Sequence, residues 1–142
     1  MHDLILVVDD NVDNRDLTRI LLEFEGFAVQ TAEDATQALR ILGTDRPRLI
    51  LMDVQMPGID GLELTRRLRQ DPSLNGVPIV AFSAYAMAAE MENAREAGCD
   101  GYITKPIDTR TFGNTVRAYL SPRDLTAGTG HRSASFRVDS MA

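Results

Sequence analysis

The sequence predicts an α/β protein with a doubly wound, five-stranded parallel sheet and five helices. Three observations carry that prediction. Short continuous apolar runs, such as Leu4–Val8 and residues 49–52, have the length and pattern of strands buried on both faces. Amphipathic segments at helical spacing lie between them. The alternation repeats five times between residues 1 and 120, with cap and turn residues at the changes of element. Right-handed crossovers leave few arrangements for such a chain, and strand order 2-1-3-4-5 fits best.

The first strand, Leu4–Val8, ends in Asp9-Asp10. Leu17, Ile20, Leu21 and Phe24 then recur at i, i+3, i+4 and i+7, predicting an amphipathic helix stopped by Gly26. Residues 27–31 form a short second strand. Asp34 is placed to cap a second helix whose apolar face is Ala35, Ala38, Leu39 and Leu42, with Gly43 ending it. The third strand, 49–52, is closed by Asp53, and a loop with Met56-Pro57-Gly58 leads to a helix over about 62–69. Pro78 precedes a fourth strand, 79–82, which ends at Ser83. A helix over about 87–97 leads to Gly98. Gly101–Thr104 is a short fifth strand followed by Lys105-Pro106. The last helix, 111–120, turns Phe112, Val116, Tyr119 and Leu120 inward. The domain therefore spans 1–120. The remainder, 121–142, is rich in Ser, Gly, Thr and Ala and lacks periodicity, so it reads as a disordered tail.

Composition bounds the function. At 142 residues with 44% hydrophobic and 25% charged, the chain is globular and has length for one core. One cysteine, Cys99, forms no internal bridge, and no Cys/His cluster exists for a structural zinc. Cys99 itself reads as a small buried hydrophobe. No apolar run reaches the length of a membrane span, and no cleavable leader is evident. These points predict a cytoplasmic protein without membrane insertion. The net charge of −6 opposes direct DNA binding, which requires a basic face. Lys105 is the single lysine among 15 basic residues.

The polar residues converge. Asp9, Asp10, Asp53, Ser83 and Lys105 all sit at the carboxyl ends of strands, where open α/β sheets bind ligands near the reversal of strand order. Singly, each has an ordinary explanation: Asp10 or Asn11 as a helix cap, Asp53 in a turn, Ser83 as a cap, Lys105 as a surface charge. Together they do not, because clustered like charges need cations among them. Lys105 supplies one. Oxygen ligands without Cys or His suit magnesium or manganese, and a hydroxyl and an ammonium beside the metal are the groups that hold phosphoryl oxygens.

Asp9-Asp10 after the first strand, Asp53 with Met56-Pro57 behind it, Ser83-Ala84 and Lys105-Pro106 resemble the CheY-like receiver domain of two-component response regulators, a flavodoxin-like fold. The resemblance covers about residues 3–120. Residues 52–57, 84–87 and Gly98-Cys99 are similar to the DivK-type single-domain regulators, which implies a stand-alone receiver. It implies that Asp53 accepts a phosphoryl group from a histidine kinase or histidine phosphotransferase. Asp10, Asp53 and the backbone carbonyl of Gln55 would ligate Mg²⁺, with Asp9 acting through water. Ser83 and Lys105 would hold phosphoryl oxygens, the Lys105–Pro106 bond being cis. Tyr102 would be the aromatic switch, its ordinary explanation being simple packing. A downstream protein would bind the face of the fourth helix, fifth strand and fifth helix. The protein is then a phosphoacceptor of a phosphorelay rather than an enzyme, though it assists its own phosphotransfer and dephosphorylation.

Competing readings differ in testable features. A Rossmann-type nucleotide site would need a Gly-rich turn where Asp9-Asp10-Asn11 stands. An aspartyl-phosphate phosphatase also uses clustered carboxylates, magnesium, a hydroxyl and a lysine. The haloacid dehalogenase pattern, however, places a second Asp where this chain has Gln55. A non-phosphorylated receiver-fold interaction module would not need the complete acidic set. In the resembled family, residues two after the phosphoacceptor and two after the Ser/Thr tune attack of water on the acyl phosphate; here they are Gln55 and Tyr85. Tyr85→Glu is expected to shorten the lifetime of the acyl phosphate, as time courses of decay would show.

Overall fold

The computed structural model describes residues 3–54, 56, 58, 60–84, 87–105, 109–120 and 136–140. The strands are β1 (Leu4–Val8), β2 (Ala28–Ala32), β3 (Leu49–Asp53), β4 (Ile79–Ser83), β5 (Gly101–Thr104) and β6 (Arg137–Ser140). The helices are α1 (Val12–Phe24), α2 (Ala35–Leu42), α3 (Gly61–Leu68), α4 (Ala88–Ala97) and α5 (Phe112–Tyr119). All pairs are parallel, in the order 2-1-3-4-5-6. The first five strands thus take the expected order, and a sixth extends the edge.

Local chemistry sets the element ends. Asn11, Asp34 and Asp60 cap α1, α2 and α3, each side chain accepting from the backbone N–H three residues on. Gly98 ends α4 in the left-handed region at φ 112°, where a side chain would be strained. Every residue of β3 and β4 is buried, as a central parallel strand requires.

The sheet separates two apolar layers. Leu6, Val8, Ile50, Met52 and Tyr102 join residues of α2, α3 and α4 on one face. Ile5, Val7, Leu51, Phe82 and Ile103 join Leu22 of α1 and Phe112, Val116 and Tyr119 of α5 on the other. Cys99 is buried in the first layer. Behind it, Arg69 ties α3 to the start of β5. Its guanidinium donates to the carbonyls of Gly98, Leu74 and Val77 and to the Asp100 carboxylate at 2.7 Å. Asp100 in turn accepts from the Ile79 N–H. Among the described residues, no helix is long and apolar enough to cross a membrane.

Two expectations are corrected. The stripe Leu17, Ile20, Leu21, Phe24 is not the inward face of α1. Thr18 and Leu22 are buried, Leu21 is partly so, and Leu17, Ile20 and Phe24 are exposed, Phe24 at 87%. Periodicity finds a helix, but the sheet selects which face it covers. Thr18 can occupy the buried face because its hydroxyl donates to the Asn14 carbonyl at 2.8 Å. The second is Leu39, expected on the apolar face of α2 but exposed, while Ala35, Ala38 and Leu42 are buried. Within the expected tail, residues 136–140 include β6, which pairs with β5. Composition reports on side-chain burial, whereas strand pairing uses backbone groups that every sequence carries. Residues 121–135 and 141–142 lie outside the described residues.

The α1 result is checked by two variants. Leu22→Ala is expected to lose about 2–5 kcal/mol of unfolding free energy. Phe24→Ser should stay within about 0.5 kcal/mol of the parent. Both are read by denaturant unfolding.

Candidate phosphoryl-transfer site

The site lies beyond the carboxyl ends of β1, β3, β4 and β5. Strand register brings its parts together. Asp53 pairs with Phe82 and Ser83 with Thr104, so consecutive strands deliver polar groups at one level. Carboxylate oxygens of Asp9, Asp10 and Asp53 lie within 4.8 Å of one another. Asp9 and Asp53 are buried, and Asp10 is exposed.

Asp9 is fixed from two sides. One carboxylate oxygen accepts the Asn11 N–H at 2.9 Å, and the other accepts Lys105 Nζ at 3.1 Å. Its backbone carbonyl accepts from the Arg15 guanidinium. Asn11 takes the helix cap, which leaves Asp10 available to the site. Lys105 Nζ also reaches Asp53 at 3.9 Å and lies 5.1 Å from the centroid of the Phe82 ring. The ammonium therefore answers two buried carboxylates while resting on an aromatic face.

Ser83 is buried at the end of β4, and its carbonyl accepts the Lys105 N–H at 2.7 Å. The Ser83 hydroxyl is hydrogen-bonded with the phenol of Tyr102, which is fully buried. Burial pushes the Tyr102 phenol above its ordinary value, the Ser83 hydrogen bond opposing that shift. The phenol is accordingly neutral throughout the physiological range. Tyr102 thus occupies the inward position, in direct contact with the hydroxyl expected to bind phosphate.

Of the expected site residues, the structure brings together Asp9, Asp10, Asp53 and Lys105, and at the neighbouring strand ends it joins Ser83 to Tyr102. Gln55, Pro106 and Tyr85 lie outside the described residues. The donor set fits a hard divalent cation: three clustered carboxylates, with no nitrogen or sulfur ligand among them. The same set, with a buried hydroxyl and an ammonium on its rim, can bind a phosphoryl group and stabilise charge spread over its oxygens.

Phe82, which supports Lys105, and Gly61, which packs against the Asp53 backbone, are not marked as site residues by sequence patterning. A Cβ on Gly61 would stand 2.0 Å from the Asp53 carbonyl oxygen. The Asp60-Gly61 pair at a helix start was the available signal, but the close approach comes from α3 folding back onto β3. Gly61→Ala is expected to displace Asp53 and destabilise the fold by about 1–3 kcal/mol. Unfolding curves measure the stability loss, and the Asp53 amide shift reports the displacement.

Comparison with known proteins agrees with this geometry. The family model described as the response regulator receiver domain matches residues 5–117. The polar-differentiation response regulator DivK of Brucella anthropi is 39% identical over 116 residues, covering 82% of this chain and 94% of that protein. The DivK of Brucella ovis is 38% identical over the same length. Among solved structures, the chemotaxis protein CheY4 of Vibrio cholerae superposes with a TM-score of 0.81 at 26% identity, covering 84% of this chain and all of that one. A CheY-like receiver from Methanospirillum hungatei gives 0.79 at 29% identity, covering 90% and 100%. Fold, site and relatives converge: the chain belongs to the response regulator receiver domain family, with DivK-like and CheY-like relatives.

Proposed function

We propose that this receiver accepts a phosphoryl group on Asp53 from a histidine kinase or histidine phosphotransferase and signals through phosphorylation-dependent protein binding. The observation that carries the reading is the convergence of Asp9, Asp10 and Asp53 with Lys105 at the sheet's carboxyl end. An Asp53 carboxylate oxygen would attack phosphorus in line. A P–O bond forms as the P–N bond to the donor imidazole breaks, and the imidazole leaves. Asp10, Asp53 and the Gln55 carbonyl would hold Mg²⁺, with Asp9 acting through water; the ion would supply positive charge against the phosphoryl oxygens.

Lys105 and Ser83 are proposed to bind separate phosphoryl oxygens. Lys105 would exchange part of its pairing with Asp9 and Asp53 for the new anion. Ser83 would carry the signal outward, because its hydroxyl already meets Tyr102 on β5. The α4–β5–α5 surface then becomes the face presented to a downstream protein, since Ser83 precedes α4 and Tyr102 lies within β5. A cytoplasmic location belongs to the same reading.

Two variants test it. Asp53→Asn is expected to abolish uptake of phosphate from acetyl phosphate or a phosphorylated kinase, as intact-mass spectrometry would show. Omitting Mg²⁺ should abolish uptake by the parent. Uptake by the variant equal to the parent's would remove Asp53 from the role. Lys105→Arg should keep the fold and allow some phosphorylation. A guanidinium prefers a two-pronged contact where an ammonium sits on one oxygen. The amide shift changes at Ser83 and Tyr102 on phosphorylation should therefore shrink, as nuclear magnetic resonance would measure.

A further inference from the structure

β6 stands apart from the other strands. It lies along β5 in parallel, with Gly101 opposite Arg137, Tyr102 opposite Val138, Ile103 opposite Asp139 and Thr104 opposite Ser140. Phe136, just before it, packs against the apolar layer that contains Tyr102 and residues of α3 and α4. The family match ends at residue 117, so β6 lies outside the matched span.

The handedness of the connections separates β6 from the core. From β2 to β3, β4 and β5, the chain steps in one direction, and α2, α3 and α4 cover one face. From β1 to β2 it steps the other way, and α1 covers the other face. These four crossovers therefore share one hand. From β5 to β6 the chain continues in the first direction, yet α5 lies on the face of α1. A connection running along α5 has the opposite hand, which only roughly 2% of parallel crossovers show. β6 is thus a segment laid on a finished sheet edge rather than the last strand of a βαβ series.

Strand addition of this kind is how extended peptides bind an open edge, with backbone hydrogen bonds giving most of the affinity. A four-residue pairing is weak on its own. Tethering raises it: the fifteen residues 121–135 can span at most about 50 Å, and a short linker gives an effective concentration on the order of millimolar. The covalent connection keeps the segment within reach of the edge.

We propose that the outer edge of β5 is a strand-accepting site for an extended peptide, and that the chain's own residues 136–140 occupy it in the free protein. A partner reaching this edge must displace them. The proposal rests on the α4–β5–α5 reading only for the identity of the surface that the downstream protein uses; the edge site itself does not depend on phosphorylation.

The test uses the full chain and a synthetic peptide of residues 133–142. Phe136→Ser removes the apolar anchor. Arg137→Pro and Val138→Pro remove consecutive N–H groups, which point to opposite sides of a strand, so one of them faces β5. Amide exchange within Gly101–Thr104 should quicken about tenfold in Phe136→Ser and in one proline variant only. The peptide should bind Phe136→Ser about tenfold more tightly than the parent, since the parent's edge is occupied. Equal exchange in the parent and all three variants would overturn docking of the segment. Equal peptide affinity for parent and variant would overturn a shared site. Protection that rises with protein concentration would assign the edge to a second copy's segment and overturn the tethered form. Failure of the signalling reading gives a different result: phosphorylation would shift amides away from α4–β5–α5 while the peptide competition persisted.

Discussion

The structure is organised around one electrostatic constraint. Asp9, Asp10 and Asp53 converge where β1 and β3 end, and two of them are buried. Like charges at this separation repel, and burial removes the water that would screen them. Lys105 meets Asp9 at 3.1 Å and Asp53 at 3.9 Å, so one ammonium offsets part of that repulsion. The remaining negative charge is what a hard divalent cation would offset. The affinity of the site and the cost of keeping it in the fold have the same origin.

The rest of the fold holds these groups still. Asn11 caps α1 while its own N–H is donated to Asp9, so one residue serves both helix and site. Gly61 lets α3 approach the Asp53 backbone more closely than any side chain permits. Phe82 stacks on Phe112 with ring centroids 6.0 Å apart and carries Lys105 above its ring. Arg69 and Asp100 fix the start of β5 behind the site. The Arg69 side chain is only 8% exposed, and its donors are shared among three carbonyls and one carboxylate. Removing either charge would strand the other in a poorly hydrated place.

β5 connects this rigid centre to the outside. It carries Tyr102 toward Ser83 on the inner side and bonds β6 on the outer side. An exposed strand edge invites pairing, and proteins commonly cover it. Here the cover comes from the chain's own C-terminal region. The residue that meets Ser83 and the edge that pairs with β6 therefore lie in one four-residue strand.

The strand–helix alternation, the cap at Asp34, the helix end at Gly43 and the candidate site residues are legible in the sequence, whereas the choice of Asn11 over Asp10 as the cap of α1 is not. The legible features are local, or lie at strand ends where chain direction alone places them. The positions of Asp9, Asp10, Asp53, Ser83 and Lys105 were legible because parallel strands deliver their carboxyl ends to one edge of the sheet. Tertiary structure decided the rest. It chose Thr18 and Leu22 over Leu17 and Phe24 as the inward face of α1, because a helix with apolar residues on several sides is oriented by the sheet it covers. It decided that Gly61 and Phe82 serve the site, because their partners are brought close only by packing. It also adds β6, because backbone pairing does not depend on the side-chain composition that predicts a disordered tail.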